Sequence, residues 1–341
     1  MKKITALVLS MLMAFSFAAC TNEGEKQESS SSKSEEVSIQ SESQDTDTVE
    51  EISSHLRIAA LKGPTGMGLA SLLEDEESKN SYAFTLASSP TEIVPLISQK
   101  KVDLASLPAN LGAVLSDKVK VIAINTVGNL NFITKNEEIN NISDLKGKTV
   151  ITSGKGASPE AMLNFLLEKN GLKPGEDVKT EYRNEHSECL AALLQSEKGI
   201  ALLPQPFATV ALSKDESLKT ALDFNELWKE ATGGIIPVTG IMTVSNEYLE
   251  NNKEAVDNFL NSYEESINAA ASGDEKAVKA IASLGIAEAG IAKKALPYCG
   301  IRLIKGEEMK KALISYYEIL EDFEPKLIGG KMPSEEIYYL G

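Results

Sequence analysis

Leu56-Arg57-Ile58-Ala59-Ala60-Leu61-Lys62-Gly63-Pro64-Thr65 and Thr149-Val150-Ile151-Thr152-Ser153-Gly154-Lys155-Gly156-Ala157-Ser158 share one grammar. Each starts as a short β-prone run, passes a Lys-Gly pair and reaches a hydroxyl residue. An apolar segment with helical spacing follows, Met67–Leu73 in the first case and Met162–Leu167 in the second. The pattern predicts strand, loop and hydroxyl-capped helix, twice. A helix start presents unpaired backbone N–H groups and a partial positive charge. Two such starts from two halves of a chain are suited to gripping one small polar ligand.

Outward from these stretches the pattern keeps alternating. In the first half, strands are expected at Leu56–Leu61, Tyr82–Ala87, Val102–Leu107 and Val119–Asn125, with helices at Thr65–Leu73, Glu92–Gln99 and Asn110–Leu115. In the second half, strands are expected at Thr149–Ser153, Lys179–Arg183 and Ile200–Leu203. Helices are expected at Pro159–Asn170, around Cys189–Leu194 and at Phe207–Leu212. Ser158, Pro159 and Gly171 supply N-cap, first-turn and stop signals for the first of these. Strand–helix alternation at these lengths means an α/β architecture. Glu92 lies sixteen residues before Pro108, and Glu188 sixteen before Pro204. In that register Gln99, Ala105 and Leu107 match Gln195, Ala201 and Leu203. Two lobes of similar build are therefore expected, 55–130 with 243–341 as lobe I and 131–242 as lobe II. The remainder, Lys253–Ala271, Glu275–Ser283, Ala289–Ala295 and Glu307–Phe323, reads as helices completing lobe I. Two crossings are expected at Thr126–Thr134 and Pro237–Ser245, with Gly128 and Gly240 as hinge points.

The N-terminus reads as a processing signal. Lys2 and Lys3 precede an apolar Ile4–Phe17, and Ala18-Ala19 stand before Cys20. This resembles a bacterial lipoprotein signal, with 1–19 removed and Cys20 lipidated. Residues 21–54 are Ser- and Glu-rich with few large apolar side chains, a composition expected to remain a tether. A tether of that length reaches roughly 30 Å. The formal charge of −16 over 341 residues argues against nucleic acid as a partner. Cys189 and Cys299 are expected as two separate small hydrophobes.

No catalytic, metal or cofactor site is expected. The two histidines, His55 and His186, read as surface residues without a role. Gly147-Lys148-Thr149 lacks the upstream Gly of a phosphate loop, since position 142 is Ile, and a strand follows it. What remains is a binding design at the carboxyl ends of strands. The candidate ligand-binding residues are Lys62, Gly63, Pro64, Thr65, Gly66, Met67, Pro108, Ala109, Asn110 and Asn129. Gly154, Lys155, Gly156, Ala157, Ser158, Gln205, Pro206 and Phe207 complete the set. Thr65, Ser158, Asn110 and Gln205 offer polar side chains, while Met67 and Phe207 offer either apolar walls or core.

From Leu56 to Tyr339 the chain resembles the substrate-binding lipoproteins of ABC transporters. The group meant is that of nitrate-, taurine-, aliphatic sulfonate- and thiamine-precursor-binding proteins. Ala60–Gly68, Val102–Asn110, Asp144–Val150, Ser153–Glu160 and Leu203–Phe207 carry the likeness. It implies a two-lobed type II periplasmic-binding fold with two crossings, a cleft and extra C-terminal helices. It further implies a monomeric, membrane-anchored, extracytoplasmic receptor that delivers a small, anionic organic solute to a permease and its ATPase. A pyrimidine-type thiamine precursor is the alternative ligand, and ligand sensing without transport the alternative role. Relatives that make the thiamine pyrimidine use a Cys-rich iron-binding motif. Cys189 and Cys299 stand isolated here, so that activity is not expected.

Overall fold

The computed structural model describes residues 55–76, 79–155 and 158–341. The signal, Cys20 and the tether lie outside the described residues. In chain order the first elements are β1 (Leu56–Leu61), α1 (Pro64–Met67), α2 (Ala70–Glu74), β2 (Tyr82–Ala87), α3 (Pro90–Ser98), β3 (Leu104–Pro108), α4 (Ala109–Val114) and β4 (Val119–Val127). Then come β5 (Leu130–Lys135), β6 (Thr149–Ser153), α5 (Ser158–Lys169), β7 (Lys179–Arg183), α6 (His186–Gln195), β8 (Gly199–Pro204), α7 (Phe207–Lys214), β9 (Leu218–Asp223) and α8 (Phe224–Thr232). The chain ends through β10 (Val238–Ser245), α9 (Asn246–Asn251), α10 (Lys253–Ala271), α11 (Glu275–Ser283), α12 (Ala289–Ala295), β11 (Ile301–Ile304) and α13 (Gly306–Phe323).

These strands form two sheets, in the orders β11-β4-β10-β3-β1-β2 and β7-β6-β8-β5-β9. The orders correspond. β2-β1-β3 and β7-β6-β8 are parallel triplets. The next strand in each, β10 or β5, is antiparallel to both its neighbours. That antiparallel slot is where the chain arrives from the other sheet. β5 follows the first crossing and β10 the second, so the lobes trade one strand each. Pro108 and Pro204 close the equivalent strands β3 and β8, where a missing N–H costs least. Val238–Met242 therefore pair within the first sheet, not the second lobe where they were expected.

The crossings lie side by side. Gly128 N donates to Pro237 O at 2.8 Å, and Val127 N to Gly300 O at 2.9 Å. Gly128 has φ of +46°, and a Cβ there would meet the Asn225 Oδ1 at 1.9 Å. Gly233 and Gly234, at φ of +70° and +99°, end α8 and begin the second crossing. Gly240 is the other expected hinge point. It sits inside β10 with ordinary φ, and its role is space: a Cβ would meet Asn125 Oδ1 at 2.6 Å and Thr65 Cγ2 at 2.8 Å.

The expected single helix Thr65–Leu73 is broken into α1 and α2. A Cβ at Gly66 would strike Leu61 O at 2.7 Å, so the first turn lies hard against the end of β1. Elsewhere a fork-shaped ion pair fixes the start of the first sheet. Arg57 Nε donates to the buried Asp103 Oδ2 at 2.9 Å, and Arg57 NH2 to Oδ1 at 2.5 Å. The hydrogen bonds raise the Arg57 pKa still further.

The core does not divide at the lobe boundary. One cluster runs from Ala59, Leu107 and Ile241 through Tyr316 and Tyr317 to Trp228, Phe165, Leu166 and Phe132. A second, around Met67, Tyr263 and Cys299, holds α10, α11 and α12 onto the first sheet. Cys189 is buried in a third, so the two described cysteines are free and separate, as expected of residues in different lobes.

Gly300→Ala should destabilise the fold by about 2 kcal/mol or more, because its Cβ would meet the Val127 carbonyl oxygen at 1.7 Å and its φ is +62°. Gly290→Ala in α12 meets nothing within 4 Å and should be neutral or gain up to about 1 kcal/mol. Urea unfolding of both variants checks the contrast.

Candidate functional site

In each sheet the parallel strands stop at the same end, and the candidate loops begin there. On the first sheet Lys62 is exposed, while Gly63 and Pro64 are buried. Thr65 is not the N-cap: Gly63 takes that position, Pro64 opens α1, and the Thr65 hydroxyl donates to Leu61 O at 3.3 Å. Its methyl group faces Gly240. Met67 is core, with Sδ 3.9 Å from Cys299 Sγ and no exposed surface, so it offers a ligand no wall. Ala109 is buried and its carbonyl accepts from Tyr317 Oη at 2.8 Å. Behind Thr65 lies a buried polar chain that the strand pattern concealed. Thr126 Oγ1 donates to Asn125 Oδ1 at 3.1 Å, Asn125 Nδ2 to Ser106 Oγ at 2.6 Å, and Ser106 Oγ to Ile241 O at 3.3 Å. Polar residues ending otherwise apolar strands were the available signal.

On the second sheet Gly154 turns the chain at φ of +78° beneath the Pro159 ring. Gly156 and Ala157 lie outside the described residues. Lys155 is exposed, its Nζ 5.6 Å from the Tyr182 ring centre, while Tyr182 Oη donates to Glu160 Oε1 at 2.6 Å. Gln205 is buried and its side-chain oxygen is spent locally, accepting from Thr209 N at 3.2 Å and Thr209 Oγ1 at 2.7 Å. Gln205 N donates to Asn129 O at 2.9 Å, which ties the first crossing to the end of β8. Pro206 follows a cis bond and precedes α7, where Phe207 is half-buried.

His186 is a residue that composition alone misjudged. It opens α6 instead of lying on a polar surface loop. Its Nδ1 is 2.5 Å from Ser153 Oγ, and its ring centre is 5.4 Å from that of Phe207. Ser153, His186 and Phe207 thus gather three strand ends, β6, β7 and β8, at one place. Burial alone lowers the His186 pKa to about 4. The ring is therefore neutral at pH 7 and a weak base.

The two sets of loops touch. Ser158, the first residue of α5, donates from Oγ to Asn110 Oδ1 at 2.8 Å, and Asn110 Nδ2 donates to Leu327 O at 3.1 Å. Of the expected clamp, Asn110 and Ser158 are brought together. Thr65 is turned instead toward Gly240. Two open grooves lie away from these loops. One, of about 490 Å³, sits at the opposite ends of β6 and β8, where Lys148 and Lys198 pair with Glu137 at 2.6 and 3.6 Å. Hydrogen bonding to Lys148 holds the Glu137 carboxyl below its usual pKa. The other, of about 530 Å³, runs between α5, α8 and α13. Among the described residues no group of three or more His, Cys, Asp or Glu is placed to hold a metal ion. None of their helices is long and apolar enough to cross a membrane.

Two α/β lobes of matching strand order, exchanging one strand each around two crossings, define the type II periplasmic-binding fold. Solved structures share it. An ABC transporter protein from Parabacteroides distasonis aligns at a TM-score of 0.71 with 22% identity, over 84% of this chain and 99% of that one. The periplasmic aliphatic sulphonate binding protein of Escherichia coli aligns at 0.67 with 18% identity, over 84% and 92%. The alkanesulfonate-binding protein of Xanthomonas axonopodis pv. citri, bound to MOPS, aligns at 0.64 with 16% identity, over 84% and 98%. Residues 86–277 match the model of the family described as NMT1/THI5 like. The chain belongs to that family. No curated protein matches its sequence.

The His186 geometry has a pH consequence. As pH falls from about 6.5 to 4, the unfolded chain takes up the imidazole proton before the folded one does. The stability that depends on neutral His186 is whole above pH 6.5 and lost across that window. His186→Phe should therefore lose less stability than the wild type between pH 7 and 5, by about 1–2 kcal/mol, in urea titrations at the two pH values.

Proposed function

We propose that the chain is an extracytoplasmic solute receptor for an ABC importer. It captures a small organic anion between its lobes and hands it to a permease powered by an ATPase. The observation that carries this reading is the Ser158–Asn110 hydrogen bond, which joins strand-end loops of both sheets at the site where a shared ligand would sit. A ligand favours closure only when it contacts both lobes. Membership of the NMT1/THI5-like family supports the reading, as does a fold shared with sulfonate-binding proteins.

The lobe II loops supply the contacts proposed for the ligand: Gly154, Lys155, Ser158, Pro206 and Phe207, with Ser153 and His186 beside them. Lys62, Pro108 and Asn110 face them from lobe I, with Asn129 at the crossing. The start of the twelve-residue helix α5 supplies N–H groups and partial positive charge, worth about 0.3–2 kcal/mol for an anion. Lys155 and Lys62 add mobile positive charge at the mouth. Cys20 anchors the receptor by a lipid, and the chain acts as a monomer. A receptor role also suits the chemistry of the best-placed Ser–His pair, since a histidine titrating at about 4 takes few protons at neutral pH. The His186–Phe207 ring pair favours one second reading, a pyrimidine-type thiamine precursor in the same cleft.

A thermal-shift panel of alkanesulfonates, taurine, nitrate, carboxylates and aminopyrimidines tests the proposal. A true ligand at 100 times its Kd should add about 2.7 kcal/mol of stability. Phe207→Ala should weaken that ligand about ten-fold or more, measured on the folded variant, since the half-buried ring also packs on lobe II and its loss costs some stability. A flat response across the panel, or full affinity in Phe207→Ala, contradicts the site.

A further inference from the structure

Helices α5 and α13 belong to different lobes yet pack along each other. Ser158, Met162 and Phe165 recur at i, i+4 and i+7, one stripe of α5, and Tyr316 and Phe323 are seven residues apart on α13. The stripes meet at two places. Tyr316 Oη lies 3.7 Å from Met162 Sδ, and the Phe323 ring stands edge-on to Phe165, centres 6.0 Å apart at 84°. Trp228 of α8 fills the seam, fully buried, 5.1 Å from Phe165 and 6.1 Å from Tyr316. The Ser158–Asn110 hydrogen bond closes the end of the seam nearest the candidate site.

We propose that this seam is a closure latch that sets the balance between shut and open lobes independently of any solute. The proposal rests on the receptor reading and adds the residues that tune it. Apolar burial pulls the seam shut. Against it, the Trp228 Nε1 is buried without a hydrogen-bond partner among the described residues, a cost that the closed seam carries. A contact with one such built-in penalty is held less firmly than an ordinary core, as a latch has to be. It also explains why both ends of Asn110 are engaged: Leu327 O orients the amide that receives Ser158. Asn110 and Ser158 then act first on closure and through closure on affinity.

Trp228 is the chain's one tryptophan, so its emission reads the seam directly. Ligand-free wild type, Ser158→Ala, Phe323→Ala and the double variant should be compared by Trp emission, acrylamide quenching and small-angle scattering. Loss of the hydrogen bond should move the closed-to-open ratio about five-fold, and both changes together about fifty-fold or more. The double variant should then emit further to the red, quench more readily and show a larger radius of gyration, with unchanged far-ultraviolet dichroism. Glu250→Gln, on exposed α9, should behave as wild type. Unchanged emission, quenching and radius in a folded double variant overturn the latch. That outcome is separable from the receptor reading, because a ligand stabilising the same protein in the thermal panel keeps the receptor while removing the latch.

Discussion

The structure depends on the place where its two crossings meet. Gly128 N to Pro237 O, at 2.8 Å, holds both passages of the chain in one narrow strip. Gly233 and Gly234, both with positive φ, end α8 and begin the second crossing. Asn225, whose Nδ2 donates to Gly128 O at 3.1 Å, anchors the strip from α8. α8 also carries Trp228, so the strip and the aromatic seam share one helix.

From this strip the site follows. Each crossing delivers its strand into the same antiparallel slot of the receiving sheet, so the parallel strands of both sheets are laid out alike. The strand-end loops, β1–α1, β3–α4, β6–α5 and β8–α7, then occupy equivalent places. Ser158 and Asn110 meet because they are the residues just beyond two such strand ends. The chemistry of the site is made of hydroxyls, amides, helix-start N–H groups and a neutral imidazole. These are groups suited to recognising and orienting a small polar solute.

Much of this was legible in the sequence where local signals and burial agree. Leu56–Leu61, Tyr82–Ala87, Lys253–Ala271 and Glu275–Ser283 fall where pattern and caps put them. The Pro108/Pro204 register also held, since both residues close equivalent strands. What escaped needed the tertiary partner. β9 and α8 follow an ordinary-looking polar segment, and the pull of Trp228 toward another lobe has no local signature. The break between α1 and α2 comes from the closeness of Leu61 O to Gly66, which no helix propensity contains. Gly240 looked like a hinge because glycine permits bending, yet here it makes room for Thr65 and Asn125. His186 looked idle because a single histidine carries no spacing; its meaning lies in Ser153 and Phe207, 33 and 21 residues away in the chain.

Hydrogen–deuterium exchange, with and without whichever solute stabilises the protein, tests the central claim most directly. The account predicts slowed exchange on both lobes at once, at 62–67 and 108–110 in one and at 154–158 and 204–207 in the other. Protection confined to one lobe, or centred on the groove between α5, α8 and α13, would contradict it.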